Sequence, residues 1–381
     1  MIYLDNSATT RCSDAAFEAM KNALLVDFGN PSSLHNFGYK GQLLREEARE
    51  AIAATLKCDK KEIYFTSGGT EGNNLAIFGG VEAKKRRGNH VITTAIEHAS
   101  VANPMKQLEK MGFEVTYLAT DEYGVVDIED FKAALRPDTI LVSVMMVNNE
   151  IGSLQPIEAM GKAIKSNNEE TLFHVDAIQA YGKYAINPKK MKIDMLTVSG
   201  HKIHGPKGSG FIYIKDKIRV VPQILGGGQE KGMRSGTENL PAIVGLGAAA
   251  KEAYASLDEN RAHMYELRKR LIEGLSQIEG ISLNGHLDER NAPHILSVSI
   301  AGARTKAEVI LHRLEEQEIY VSAGSACSSN KPAISATLKA IGLDQMLLNR
   351  TIRFSLCPEN TFEEIDAAIE AMRTIVPQQI R

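Results

Sequence analysis

The densest chemistry in this 381-residue sequence lies in Ser199-Gly200-His201-Lys202-Ile203-His204-Gly205-Pro206-Lys207-Gly208. Here a lysine follows an apolar run that reads as a buried strand and precedes a Gly/Pro-rich turn. Open α/β sheets bind ligands at the carboxyl ends of their strands. A lysine whose pKa is lowered by burial or by cationic neighbours can attack an aldehyde and form a Schiff base. Taken alone, the segment also fits a solvated loop lysine, the ordinary fate of that side chain. His201 and His204 as a metal pair is the weaker reading, because no third ligand lies near them in sequence. No metal site is expected.

Three further segments carry reactive or anion-binding residues. In Phe173-His174-Val175-Asp176-Ala177-Ile178-Gln179, an apolar run ends in an acid 26 residues (202 − 176) before Lys202. A carboxylate there could hydrogen-bond a protonated ring nitrogen and shift its pKa by ~1–3 units toward the charged form; a helix N-cap is the alternative. Thr66-Ser67-Gly68-Gly69-Thr70-Glu71-Gly72-Asn73-Asn74 joins a strand to a helix, where free N–H groups attract an anion and Thr70 adds a hydroxyl. It also fits an ordinary turn. It is neither a P-loop nor G-x-G-x-x-G, which removes a dinucleotide-binding dehydrogenase from consideration. A second glycine stretch, Gly226-Gly227-Gly228 running on to Arg234-Ser235-Gly236-Thr237, could also face an anion.

The last segment is a thiol. The four cysteines, Cys12, Cys58, Cys327 and Cys357, include no C-x-x-C pair, so neither a zinc knuckle nor a disulfide scaffold is expected. Cys327 sits among Ser322-Ala323-Gly324-Ser325-Ala326 and Ser328-Ser329-Asn330, a small and polar setting that reads as an exposed, mobile loop. Structural cysteines are usually buried among apolar residues, so Cys327 reads as a reactive thiol.

Short apolar runs at 62–65, 91–94, 114–118, 140–146, 172–175, 195–198 and 211–214 read as the strands that must position these residues. Helical patterns fall near 71–84, 101–110, 128–135 and 157–165. This alternation predicts an α/β fold with a large, mostly parallel sheet flanked by helices. After Gly228 the pattern changes. Residues 240–278 read as long helical sequence, followed by a strand at 295–300, a helix at 306–317, the Cys327 loop and a strand at 351–356. A last helix is opened by Thr361 and Glu364 at capping-box spacing. This second part reads as a smaller α+β domain. The expected division is 14–255 for the large domain, and 1–13 with 256–381 for the small one that carries the thiol loop.

Composition narrows the class. With 44 basic against 47 acidic residues the net charge is −3, which argues against a nucleic-acid or membrane surface. No apolar run reaches the ~18 residues of a membrane helix. Met1-Ile2-Tyr3-Leu4-Asp5-Asn6 lacks the basic and apolar regions of a secretory signal. A cytoplasmic protein is the expectation.

Together the four segments resemble one family, the cysteine desulfurases of the nitrogen-fixation and iron–sulfur-cluster type, in the class V aminotransferase branch of fold-type I pyridoxal-5′-phosphate (PLP) enzymes. The resemblance covers nearly the whole chain. It includes Tyr3-Leu4-Asp5-Asn6-Ser7-Ala8-Thr9-Thr10, Gly29-Asn30-Pro31-Ser32-Ser33-Leu34-His35 and Ile96-Glu97-His98. It continues through Asn148-Asn149-Glu150-Ile151-Gly152 and Ile352-Arg353-Phe354-Ser355-Leu356, besides the segments above.

The resemblance implies an aspartate aminotransferase-like fold, PLP as cofactor, L-cysteine as substrate and a homodimer. Lys202 would condense with the cofactor and later move protons. Asp176 would pair with its ring nitrogen, Gln179 with its hydroxyl, and His98 would stack on the ring and serve as acid or base. Gly69, Thr70, Ser199 and His201 would hold the phosphate, joined by Thr237 from the partner subunit. Asn148 would touch cofactor and substrate. Arg353 suits the substrate carboxylate through its bidentate fork, and Asn30 is a further substrate-site candidate. Cys327 would receive the sulfur as a persulfide and pass it to an acceptor protein: an iron–sulfur scaffold, a tRNA-thiolation enzyme or a thiamin-pathway carrier.

Cys357 departs from the pattern, since the family usually carries glycine or another small residue there; packing at a strand end is its expected role. A selenocysteine lyase, a small amino-acid transaminase and a non-catalytic scaffold of this fold are the competing readings.

Overall fold

The computed structural model describes residues 1–302, 306–323 and 335–380; Cys327 and most of its loop lie outside the described residues. Seven strands form one sheet in the spatial order Ile63–Thr66, Gly210–Ile214, Met195–Ser199, Leu172–Asp176, Thr139–Met145, His90–Thr94, Glu114–Leu118. Only Gly210–Ile214 runs against the others. All seven strands stand where the apolar runs predict them, with boundaries shifted by a residue or so.

The interior strands are buried along their whole length, as expected of a parallel sheet covered on both faces. Alternation along each strand sorts their side chains into two cores. Ile92, Val142, Leu196 and Tyr213 pack on one face. Their neighbours Val91, Leu141, Met195 and Ile212 pack on the other, with Val101, Met105 and Leu108 of helix Ala99–Lys110.

Two N-terminal helices, Asp14–Leu25 and Asn36–Leu56, do not stand out in the sequence; both pack on helix Leu240–Ala255. Close approach depends on glycine: a Cβ at Gly247 would lie 2.7 Å from the Ala48 Cβ, and one at Gly245 2.6 Å from Met20 Cγ. The long helical stretch after 240 is two helices, since Ser256 breaks the α conformation (ψ 35°) between Leu240–Ala255 and Leu257–Leu275.

A second, antiparallel sheet runs Ser322–Ala323, Thr351–Ser355, Ile295–Ile300, Ile281–Asn284. Its core gathers Leu267, Leu271 and Leu275, Ile310 and Leu314, and Ile365, Met372 and Val376, from helices Leu257–Leu275, Ala307–Glu315 and Phe362–Ile380. Thr361 and Glu364 form the predicted capping box: the Glu364 amide donates to Thr361 Oγ1 (3.3 Å) and the Thr361 amide to Glu364 Oε2 (3.2 Å).

The N-terminal segment belongs to this second core. Ile2–Tyr3 pairs parallel with Ile319–Tyr320, Leu4 is fully buried in the core, and the Ser355 amide donates to the Leu4 carbonyl (2.7 Å). From there residues 5–10 cross to the carboxyl edge of the large sheet, where the Thr10 amide donates to the His201 carbonyl (2.9 Å).

Candidate active site

Four parallel strands end at one edge, and the predicted residues follow from those ends. Asp176 is the last residue of its strand. Met195–Ser199 runs into the 3₁₀ turn Gly200–Lys202, closed by the Ile203 amide donating to the Gly200 carbonyl (3.0 Å). Gly68 and Gly69 follow Ile63–Thr66, and His98 follows His90–Thr94. Register places Asp176 beside Thr197, so the acid and the lysine leave the sheet as neighbours.

Lys202 Nζ donates to the carbonyl oxygens of Ser7 (2.5 Å) and Ala8 (2.7 Å). Gln179 Nε2 donates to the same Ser7 oxygen (3.0 Å), and Gln179 Oε1 accepts from the buried His294 Nε2 (3.2 Å). The N-terminal segment therefore supplies the acceptors that hold both side chains. Sequence reasoning quotes Ser7 only as part of a motif; its role is carried by backbone and has no side-chain signature.

Asp176 is buried and accepts from Asn73 Nδ2 (2.8 Å) and from the Ile178 amide (3.0 Å). Burial pushes its pKa up, opposed by those two hydrogen bonds and by His98 and Lys202. Asn73 Nδ2 also donates to Ser100 Oγ (2.9 Å), and Ser100 Oγ lies 2.8 Å from His98 Nδ1. The Ser100 amide donates to that Nδ1 as well (3.1 Å), as in an N-cap. Nδ1 is thus an acceptor, and the neutral imidazole carries its proton on Nε2. His98 serves as a helix cap and as the end of a polar chain leading to Asp176.

Beside this chain lies Glu97, a buried carboxyl that sequence reasoning quotes in a motif but assigns no role. Its Oε1 accepts from Thr94 Oγ1 (2.7 Å) and the Met145 amide (2.9 Å), and burial raises its pKa to about 8.

A concavity of about 350 Å³ opens between Ser67-Gly68-Gly69-Thr70 and Ser199, His201, Lys207 and Gly208. Thr70 is exposed on its rim. Gly68 has φ +144°, a conformation L side chains rarely adopt, and a Cβ on Gly69 would meet Ile178 Cδ1 at 2.2 Å. His201 Nδ1 lies 3.2 Å from Thr9 Oγ1; burial, then Lys202 and Lys207, lower its pKa to about 4, so the ring is neutral at physiological pH. An amine, a buried acid and a hydroxyl-lined concavity in this order along one sheet edge fit the aldehyde, ring nitrogen and phosphate of PLP.

Arg353, on the neighbouring sheet, is also buried. Its Nη2 binds Asp5 Oδ1 (2.9 Å) and its Nη1 donates to the Asn149 carbonyl (2.7 Å), while Nε has no partner among the described residues. Two of the five guanidinium N–H donors are spent on these partners, which leaves donors on the same fork for a carboxylate. Asn148 is fully buried: its Nδ2 donates to the Ile96 carbonyl (3.0 Å), and its Oδ1 accepts from the amides of Glu150 (2.8 Å) and Ile151 (3.0 Å). It shapes the turn after Thr139–Met145.

Asn30 and Thr237 are not brought to Lys202 within one chain. Asn30 is exposed and accepts from the Ser32 amide (2.9 Å), while its neighbours Pro31 and Ser32 line a different depression with Arg45 and Gly228. Thr237 is exposed. The described residues nearest Cys327 in sequence do end at the site. Ser322 pairs with Arg353, and Ser335 Oγ donates to Glu150 Oε2 (2.5 Å), two residues from Asn148.

Comparison with known proteins identifies the family. Residues 2–368 match the family model for aminotransferase class-V. The chain is 43% identical over 380 residues to the cysteine desulfurase IscS of Methanosarcina thermophila, covering 100% of this chain and 93% of that one. It superposes on a solved NifS-like protein with a TM-score of 0.93 at 39% identity, covering 99% of each chain. It also superposes on SspA in complex with cysteine, with a TM-score of 0.82 at 35% identity, covering 95% of this chain and 100% of that one. From its sheet edge to its sequence, this chain belongs to the class-V aminotransferase family, in the branch of the cysteine desulfurases.

Proposed function

We propose that this enzyme takes sulfur from L-cysteine, with PLP held on Lys202 and Cys327 receiving the sulfur. The observation that carries the reading is the shared Ser7 carbonyl, which sets Lys202 Nζ and Gln179 Nε2 on one oxygen beside the buried Asp176. Asp176 would hold the ring nitrogen and Gln179 the ring hydroxyl, and Asn148 would touch cofactor and substrate. Gly69, Thr70, Ser199 and His201 would hold the phosphate, joined by Thr237 of a second copy in a homodimer. When bound, PLP supplies the electron sink that makes a Cβ–S bond cleavable.

The chain's own residues do the rest. Lys202 Nζ, freed by the incoming amino acid, takes the Cα proton and returns one to the departing product. His98, with its proton on Nε2, would serve as the donor. Arg353, with Asn30 as a further candidate, binds the cysteine carboxylate. The Cys327 thiolate attacks the substrate sulfur, forming the S–S bond as the C–S bond breaks; L-cysteine and a thiol become L-alanine and a persulfide. That persulfide then passes to a sulfur-acceptor protein. Residues 14–255 and residues 1–13 with 256–381 would be the two domains, closing on the substrate from either side.

Purified holoenzyme given L-cysteine and a thiol reductant should release alanine and sulfide in equal amounts. Cys327→Ala should stay yellow and release no sulfide; sulfide at the full rate would refute the thiol assignment. Lys202→Ala should lose the visible band after dialysis, and a retained band would refute the lysine assignment.

A further inference from the structure

A second cavity of about 300 Å³ borders Lys202 and Ile203. Lys183, His204, Met264, His294, Cys357 and Glu359 are among its lining residues. Three of them converge: His204 Nε2, Cys357 Sγ and a Glu359 carboxylate oxygen all lie within 4.8 Å of one another. His204 Nε2 and Glu359 Oε2 are 3.5 Å apart, already the spacing of two ligands about 2.1 Å from one tetrahedral ion. Only the thiol has to close in.

We propose that His204, Cys357 and Glu359 form a site for one divalent ion of the zinc class, with water as the fourth ligand. The donor set supports this: one imidazole, one carboxylate and one thiol that gives up its proton to the ion are the ligand types zinc takes. The imidazole is preset. His204 Nδ1 bonds the Arg11 carbonyl (3.0 Å), so Nδ1 carries the proton and the Nε2 lone pair faces Cys357 and Glu359. A backbone carbonyl behind the ring is the usual second partner of a metal-bound histidine. The backbone around it is also tied down: the His204 amide donates to Thr10 Oγ1 (2.8 Å) and its carbonyl accepts from the Ser13 amide (2.8 Å), at φ +62°.

Cys357 is buried, with its amide on Asn360 Oδ1 (2.9 Å). A second feature of the cavity points to a ligand. His294 is fully buried there, its Nε2 is spent on Gln179, and its Nδ1 has no partner among the described residues. Lys183 opposes a cation, since its Nζ donates to the Lys202 carbonyl in the same cavity (2.6 Å). A bound ion would join the loop two residues past Lys202 to the turn that follows strand Thr351–Ser355.

The proposal stands apart from the desulfuration reading, because its test measures binding and not turnover. Zinc chloride is titrated into holoenzyme carrying Cys327→Ser, against a competing chelator dye. One ion per chain is expected. Affinity should fall by on the order of tenfold or more in Cys357→Ser and in His204→Gln, each checked for its visible cofactor band. Glu359→Gln, at an exposed position, tests the carboxylate without disturbing the core. Zinc should raise the melting temperature of the parent and leave Cys357→Ser unmoved. Affinity unchanged in both Cys357→Ser and His204→Gln would overturn the assignment.

Discussion

Gln179 and Lys202 donate to one carbonyl oxygen, that of Ser7, so two residues that follow neighbouring strands of the large sheet are set by a backbone atom of the N-terminal segment. Gln179 also accepts from His294, a buried ring whose other nitrogen is unpaired among the described residues. Gln179→Leu removes both bonds and leaves buried polar groups unmatched. A loss of ~1–3 kcal/mol is expected, read as a lower urea midpoint, together with a shifted visible band in the holoenzyme.

Glu97 sets a pH dependence of definite sign. Its folded pKa is about 8 against an ordinary 4.5, so the folded chain keeps a proton that the unfolded chain releases. Its contribution is complete below pH 4.5 and is lost as pH rises toward 8, with a limiting slope of about 1.4 kcal/mol per unit. His174 and His201, held near about 3 and 4 by burial, act in the opposite direction: their contribution is present above pH 6.5 and lost as pH falls. Stability should peak between these limits. Glu97→Gln should flatten the alkaline side alone, measured by urea unfolding from pH 5 to 8.

Arg353 is committed to Asp5 and to the Asn149 carbonyl through a planar fork that lysine cannot reproduce. Arg353→Lys should raise KM for L-cysteine by on the order of tenfold, the scale of one good charge-assisted hydrogen bond, while the visible band persists. Alanine production against cysteine concentration measures it.

Two glycines near the phosphate concavity should fail differently. A Cβ on Gly210 would lie 2.5 Å from the Val198 carbonyl oxygen and 2.8 Å from the Gly68 Cα, both backbone atoms that cannot swing aside. Gly210→Ala should cost ~1–3 kcal/mol of global stability. At Gly69 the obstacle is the tip of Ile178, a side chain that can rotate. Gly69→Ala should fold nearly as well and bind PLP more weakly, because Ile178 sits between Asp176 and Gln179. Urea unfolding of apoprotein and PLP titration separate the two outcomes.

Much of this was legible in the chain itself. The seven strands announce themselves because parallel strands covered on both faces must be apolar throughout, and Asp176 and Lys202 stand out as charges ending such runs. Helices Asp14–Leu25 and Asn36–Leu56 did not stand out. Phe17, Leu24, Leu25, Phe37, Tyr39 and Leu43 are exposed in the single chain, so no clean apolar stripe marks the buried face. Nor could spacing reveal that His204 meets Cys357 and Glu359, or that Asn73 and Ser100 link His98 to Asp176. Those encounters depend on how distant elements pack, and a short polar side chain carries no sign of its partner. The Ser7 carbonyl belongs to backbone, which every residue shares.

Because residues 2–8 are first an edge strand of the small core and then the acceptors for Lys202, their length works as a ruler. Met1 is exposed, so fusions at the very start should be harmless. One residue inserted or removed between Ile2 and Ser7 would force a choice between keeping Leu4 in its apolar niche and keeping a carbonyl opposite the reactive amine. Libraries that vary this enzyme's length should find that short stretch intolerant, although it contains no catalytic side chain.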